Sequence, residues 1–154
     1  EGGFKVSNDA INENNLPLYI ANVNGAKKYI IPMTGNGLWG PIWGYIALND
    51  DCNTIYGVYF SHASETPGLG AEIASDKFTS LFDGKNILAD GEVALEAVKG
   101  RLSNEATQVN AISGATITCN GVNAMLKKSL ANYKAFLEAK QPKANVESVK
   151  VSEE

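Results

Sequence analysis

Three hydroxyl side chains surround a Gly-Ala pair at residues 113–118, which read Ser-Gly-Ala-Thr-Ile-Thr. Small residues let a bulky group approach the backbone closely, and the free amides at a helix start favour an anion. A long amphipathic segment follows, so a phosphate could be held here. A polar turn that caps a helix is the commoner use of such residues, and the residues alone favour that structural interpretation.

The motif differs from the two familiar phosphate-binding loops. It has no lysine at the P-loop spacing Gly-x-x-x-x-Gly-Lys-[Ser/Thr], which argues against a nucleoside triphosphate site. It also lacks Gly-x-Gly-x-x-Gly after a strand, which argues against a Rossmann dinucleotide site.

Two glycine-rich loops could bring their backbone close to a flat ligand. Residues 65–70 read Glu-Thr-Pro-Gly-Leu-Gly, in which Leu69 offers an apolar face and the first two residues offer polar groups. Residues 35–40 contain one large aromatic side chain, Trp39. Either loop could equally be structural, and a single loop tryptophan is more often a packing residue than a cofactor stack.

The sequence predicts no catalytic residue and no metal site. His62 is the only histidine, and no Ser, Asp or Cys partner lies at the spacing of a catalytic triad. No cluster of His, Cys or carboxylate residues has metal-ligand spacing, and the scattered acidic residues give no support to a paired-carboxylate hydrolase. Cys52 and Cys119 are too few for a disulfide scaffold, although one disulfide between them stays open.

Length and charge limit the possible functions. The 154 residues suffice for one domain with a real core, and a net charge of -4 argues against a nucleic-acid partner. No run of 18 apolar residues could span a bilayer. Because the sequence opens Glu-Gly-Gly without Met, we expect it to be a fragment of a longer protein.

The first half of the chain predicts an antiparallel meander. Strands are expected over residues 16–23, 29–31, 42–48 and 54–61. The pair Asn24-Gly25 is typical of a type I′ hairpin turn, which needs positive φ at both central positions. Pro32 is expected to end the second strand or to place it at an edge.

The second half predicts helices with one uncertain segment between them. Ser75 is the expected N-cap of a short helix, with an apolar face made by Phe78, Leu81 and Phe82. Residues 93–98 are interpreted as a strand, although their composition also suits a helix, and residues 101–112 as a connection.

The clearest periodicity is helical and covers residues 120–139. Its apolar positions recur every three or four residues: Val122, Leu126, Leu130, Tyr133 and Leu137. The predicted fold class is therefore α+β, with an antiparallel sheet of hairpins, a short helix and a long C-terminal helix after the 113–118 motif. We expect a lead-in over 1–15, one domain over 16–140 and a disordered tail over 141–154.

Residues 113–118 resemble the flavinylation motif of the FMN-binding domain family, Ser/Asp-Gly-Ala-Thr/Ser-x-Ser/Thr. In that family the last hydroxyl residue carries FMN through a phosphoester, which a flavin transferase makes from FAD with a magnesium ion. The matching residue is Thr118, and Cys119 stands where the family has Ser. Residues 65–70 resemble a second family segment, and the likeness extends over residues 16–140.

The resemblance implies a set of cofactor-binding residues and no catalytic residue. That set is Thr118, Ser113, Gly114, Ala115, Thr116, Glu65, Thr66, Gly68, Leu69, Gly70, Leu38 and Trp39.

The resemblance also implies a role and a location. The motifs are most similar to the family's member in the sodium-translocating NADH:quinone reductase, and next to its counterpart in the Rnf complex. We therefore expect an electron-relay domain with covalent FMN on the periplasmic side of a bacterial inner membrane. Its partners would be the other membrane subunits and the flavin transferase, and a missing N-terminal helix would anchor it. We expect no turnover by the isolated domain, and a non-redox binding module is the alternative from another class.

Overall fold

A computed structural model of the protein describes residues 16–141. The expected lead-in over 1–15 and all but the first residue of the expected tail over 141–154 lie outside the described residues. The proposed domain limits at 16 and 140 therefore stay a prediction.

A four-stranded antiparallel sheet forms the first half of the chain, in the order β1-β2-β3-β4. Its strands are β1 (Tyr19–Val23), β2 (Ala26–Asn36), β3 (Pro41–Leu48) and β4 (Ile55–His62). Asn24 and Gly25 have φ values of 52° and 82°, so the tight turn joins β1 to β2 as predicted. The meander of hairpins is confirmed.

Pro32 does not end β2, which continues for four more residues to Asn36. Its partner across β3 is Tyr45, whereas the pairing with β1 stops at Tyr19 opposite Ile30. One side of β2 is thus unpaired by β1 at the proline, which is where a strand residue without an N–H group is tolerated. The loop expected from residue 34 shrinks to four residues.

A chain of short helices follows β4. A 3₁₀ helix covers Gly70–Ala74, α1 covers Asp76–Thr79, and a second 3₁₀ turn covers Ser80–Phe82. Ser75 is the N-cap of α1, since its side chain accepts a hydrogen bond from the Phe78 amide. Phe78 and Phe82 are buried, but Leu81 is 39% exposed, so its place on the predicted apolar face is wrong.

The segment between the short helices and the long helix contains two small strand pairs. β5 (Leu88–Ala89) pairs antiparallel with β6 (Glu92–Val93), and β7 (Glu96–Val98) pairs in parallel with β8 (Gln108–Asn110). The predicted strand over 93–98 is therefore divided into two pieces with different partners. The connection expected over 101–112 includes β8, whose three residues are too few to give a periodic signal.

The long helix α2 spans Thr116–Lys140 and begins four residues earlier than its apolar pattern predicted. All five of its predicted apolar positions are buried. The first turn was missed because Thr116 to Cys119 carry hydroxyl and thiol groups that do not register as part of an apolar stripe. Thr118 consequently lies within the helix rather than ahead of it.

One layer of helix covers one face of the sheet, and the core lies between them. Alternate residues of β2 and β3 are buried: Tyr29, Ile31, Met33, Ile42, Ile46 and Leu48. Gly35 continues this face, and a Cβ there would lie 2.8 Å from the Met125 Cβ atom of α2. The α+β class, with an antiparallel sheet and a long C-terminal helix, is confirmed.

Candidate functional site

The 113–118 motif forms the turn into α2 and its first residues. Gly114 has a φ of 78°, a value that glycine adopts without a steric penalty. Ala115 is the N-cap position and provides no side-chain cap. Within residues 16–141, the amides of Thr116, Ile117 and Thr118 donate no hydrogen bond. The helix start therefore offers three free donors and the positive end of its dipole.

Thr118 and Glu65 form a buried pair at this helix start. The Thr118 Oγ1 hydroxyl donates to Glu65 Oε2 at 2.5 Å, and the two residues are 1% and 4% exposed. Glu65 comes from the loop after β4, so the contact joins the two sequence motifs across 53 positions of the chain.

Glu65 also holds the loop between β2 and β3. The Trp39 amide donates to Oε1 at 2.8 Å, and the Leu38 amide donates to Oε2 at 3.2 Å. Both carboxylate oxygens are therefore engaged, and the carboxylate fixes the loop against the start of α2. The amide of Glu65 itself donates to His62 Nδ1, which gives the single histidine a structural contact.

The environment favours the charged form of Glu65. Burial raises the pKa of this carboxyl, but hydrogen bonds from Thr118 and from the Trp39 and Leu38 amides, with His62 nearby, outweigh it. The net result is a pKa below the ordinary value of 4.5. A charge this deeply buried is tolerable because donors surround it.

Two glycines make room for the buried pair. A Cβ at Gly70 would lie 2.5 Å from Thr118 Oγ1 and 2.7 Å from Glu65 Oε2. A Cβ at Gly37 would lie 2.5 Å from Glu65 Oε1. A third close approach sits just behind, where a Cβ at Gly121 would lie 2.2 Å from the Asn36 carbonyl oxygen. These positions require glycine because no larger residue leaves the carboxylate and hydroxyl in contact.

A cleft of about 240 Å³, here called the Thr118 cleft, opens over this pair. Ten of the predicted cofactor-binding residues line it, joined by Ile117, which the sequence did not indicate. The ten are Leu38, Trp39, Glu65, Thr66, Leu69, Gly70, Gly114, Ala115, Thr116 and Thr118. Four large apolar side chains of the lining are exposed: Leu38, Trp39, Leu69 and Ile117. Exposed apolar groups around a polar floor are typical of a ligand site.

Two predicted residues, Ser113 and Gly68, fall outside the Thr118 cleft. They line a larger neighbouring cleft of about 610 Å³, here called the Ser113 cleft, with Lys77, Phe78 and Leu81 among its other walls. Leu69 packs over Gly114, where a Cβ would lie 3.0 Å from Leu69 Cδ2. That contact separates the two clefts, and Ser113 and Gly68 sit on its far side.

The remaining candidate groups take no part in the Thr118 cleft. Cys52 and Cys119 are free and buried, and burial raises the pKa of each thiol. Between residues 16 and 141, no three His, Cys, Asp or Glu side chains are grouped to hold a metal ion. None of the helices in that range is both long and apolar enough to cross a membrane.

Sequence reasoning missed the roles of four residues at the site. Glu65 was expected to face the ligand, whereas it anchors the acceptor hydroxyl and the 37–40 loop. Gly37 and Gly121 gave no signal that separates a close approach from an ordinary turn. Ile117, an exposed apolar residue between two hydroxyl residues, is the one that inspection of the motif could have found.

The geometry matches a known family. The model of the FMN-binding domain matches residues 37–131, a range that contains both motifs and the whole Thr118 cleft. The chain belongs to the FMN-binding domain family.

Relatives of this FMN-binding domain share one description, the NqrC subunit of the Na(+)-translocating NADH-quinone reductase. The chain is 40% identical over 133 residues to that subunit of Chlamydia trachomatis, covering 75% of this chain and 42% of the relative. The chain thus spans less than half the length of that relative.

Solved structures agree with the fold. A crystal structure of the same Na(+)-translocating NADH-quinone reductase subunit from Parabacteroides distasonis is 50% identical, with a TM-score of 0.76 over 79% of this chain and 62% of that one. Shewanella oneidensis NqrC is 27% identical, with a TM-score of 0.64 over 78% and 69%.

Proposed function

We propose that this domain carries FMN covalently, through a phosphoester to Thr118 Oγ1, and relays electrons in a sodium-translocating NADH:quinone reductase. The observation that carries the proposal is the position of Thr118. Its hydroxyl lies at the floor of a cleft with an apolar rim, on the first turn of a helix with free amides, in a chain of the FMN-binding domain family.

The helix start suits a phosphate. A phosphodiester on Thr118 keeps one negative charge, which the free amides of the first turn and the helix dipole would stabilise. No acidic residue occupies that first turn. Gly114 leaves the backbone open at the entry to the helix, as close approach of a phosphate requires.

The rim suits a flavin ring. At about 240 Å³ the cleft is smaller than most cofactor pockets, so the exposed side chains around it must provide much of the apolar cover. Trp39, 65% exposed, and Leu69 stand on opposite loops of the rim. FMN supplies the one- and two-electron chemistry when bound, and the protein supplies position and electrostatics.

The role in a larger complex follows from the relatives. Because they are described as one subunit of the sodium-translocating enzyme, that complex is favoured over the Rnf complex. In this proposal electrons pass through the domain from NADH toward ubiquinone, and other membrane subunits are its partners. The domain lies on the periplasmic side of the bacterial inner membrane, where a covalent bond prevents loss of the cofactor. A flavin transferase attaches the FMN.

Intact mass measurement after co-expression with a flavin transferase tests the proposal. We expect the mass to increase by one FMN less one water, and Thr118→Ala to remove the increase. Thr118→Ser is the matched control, since it keeps a hydroxyl and is expected to keep the modification. An unchanged mass, in cells where the transferase modifies a known acceptor, would contradict the proposal.

A further inference from the structure

The Thr118 hydroxyl has a carboxylate already in place beside it. Oγ1 donates to Glu65 Oε2 at 2.5 Å, and both groups are buried. A threonine hydroxyl is a weak nucleophile that an adjacent general base must activate. The contact meets the geometric requirement for such a base, which is hydrogen-bond reach of the proton to be removed.

The charge and orientation of Glu65 are fixed by other contacts. The Trp39 and Leu38 amides hold one oxygen each, so the carboxylate cannot rotate away from Thr118 without losing both. Among residues 16–141, no other side chain hydrogen-bonds to the Thr118 hydroxyl. His62, the single histidine, uses Nδ1 to accept from the Glu65 backbone.

We propose that Glu65 is a catalytic residue of the domain's own flavin attachment, and that it accepts the proton of Thr118 Oγ1 during the transfer. This inference rests on the proposed function. It assigns to the acceptor protein a chemical role that would otherwise belong wholly to the transferase.

The step balances with a flavin adenine dinucleotide as donor. The Thr118 Oγ1–H bond breaks, the proton moves to Glu65 Oε2, and Oγ1 forms a bond to the phosphorus that bears the riboflavin group. The pyrophosphate P–O bond breaks, and its electron pair leaves with AMP. No electron is gained or lost by the protein, and the total charge is unchanged.

The same step resolves an electrostatic conflict. A charged carboxylate beside a new phosphodiester anion would be repelled, and each would lose the hydroxyl donor that now lies between them. If the proton stays on Glu65, the carboxyl is neutral and can donate to the phosphodiester. Glu65 is therefore suited to both states of the site, as an acceptor before transfer and a donor after it.

The test measures single-turnover flavin attachment with purified transferase, FAD and magnesium, followed by the covalent mass. We expect Glu65→Gln to slow the transfer step about 10²- to 10⁴-fold, the usual contribution of a general base. The KM for the acceptor domain should change little, because glutamine keeps the size of the side chain. Glu72→Gln, in the Ser113 cleft, is the matched control and should transfer at the wild-type rate.

A second arm separates proton transfer from a structural role. Glu65→Ala should be slow, and added formate should restore part of its rate by occupying the vacated space. Glu65→Asp, which keeps a carboxylate, should fall between wild type and Gln. Thermal melts confirm which variants are folded, and if Gln does not fold, the Asp and formate arms decide.

The outcomes are distinct. A folded Glu65→Gln or Glu65→Ala variant that transfers at the wild-type rate would overturn the role of Glu65, as would a folded Ala variant that formate does not rescue. A wild-type domain that accepts no flavin would instead overturn the proposed function.

Discussion

Two clefts share a wall made by Leu69 and Gly114, and they differ in chemistry more than in shape. The Ser113 cleft is the larger, at about 610 Å³. The Thr118 cleft has less than half that volume, yet it contains a buried hydroxyl on a buried carboxylate, three free amides and four exposed apolar side chains.

The comparison shows that volume is a poor guide to this site. A cofactor joined by a covalent bond does not need a deep pocket, because the bond prevents dissociation. What it needs is a nucleophile, an anion site and an apolar surface close together. Only the smaller of the two clefts brings these together, and it does so with residues from three separate loops.

The largest expected effect comes from closing the space around the Thr118–Glu65 contact. Gly70→Ala places a methyl group within 2.7 Å of both polar atoms, so their hydrogen bond must break. We expect almost complete loss of flavin attachment and a loss of about 1–3 kcal/mol in the free energy of unfolding. Intact mass and urea denaturation measure the two effects.

Gly57→Ala is the matched control for that substitution, since only Asp83 Oδ1, at 4.0 Å, approaches a Cβ there. Normal flavin attachment in Gly70→Ala would show that the smaller cleft does not depend on this contact.

A smaller effect is expected on the acid stability of the flavin-free domain. The pKa of Glu65 is lower in the folded protein than its ordinary value of 4.5. Its stabilising effect is therefore complete above about pH 4.5 and is lost as the pH falls through the folded pKa. Glu65→Gln should be less stable near neutral pH, by about 1–3 kcal/mol, and should lose less on acidification.

Asp51 provides the control for that pH profile. Burial raises its pKa, but hydrogen bonds from the Thr54 side chain and from the Asn53 and Thr54 amides lower it overall. It lies in the β3–β4 turn, away from both clefts. Asp51→Asn should flatten the acid profile without changing flavin attachment, and equal pH profiles of Glu65→Gln and wild type would contradict the charged state of Glu65.

The smallest expected effect compares one exposed leucine from each cleft. Leu69→Ala should leave attachment intact but increase the exposure of the bound flavin to a soluble quencher, because it removes part of the apolar rim. Leu81→Ala, in the Ser113 cleft, should leave quenching unchanged. The opposite ranking in fluorescence quenching would place the flavin over the larger cleft.

The sheet and the body of α2 were predictable because their patterns are periodic. Strand alternation and the Asn24-Gly25 turn placed the meander, and the apolar stripe from Val122 to Leu137 placed the helix. Paired strands of two or three residues, such as β7 and β8, carry too few positions to show a period. Their existence depends on tertiary contacts, such as the Asn123 side chain bonding the backbone of Ala97.

The site was predictable as a set of residues and not as a geometry. The family resemblance brought together most of the lining of the Thr118 cleft. It did not show that Glu65 points at Thr118, because that contact depends on where two loops meet. It also grouped Ser113 and Gly68 with the cleft, although the packing of Leu69 over Gly114 places both on the other side.

Localising the added mass by peptide fragmentation tests the central claim most directly. The motif presents three hydroxyls, and Thr118 alone is bonded to a buried carboxylate. After co-expression with the transferase, we expect the FMN mass on Thr118. The flavin mass on Thr116 or Ser113, or no added mass on the peptide, would contradict the account.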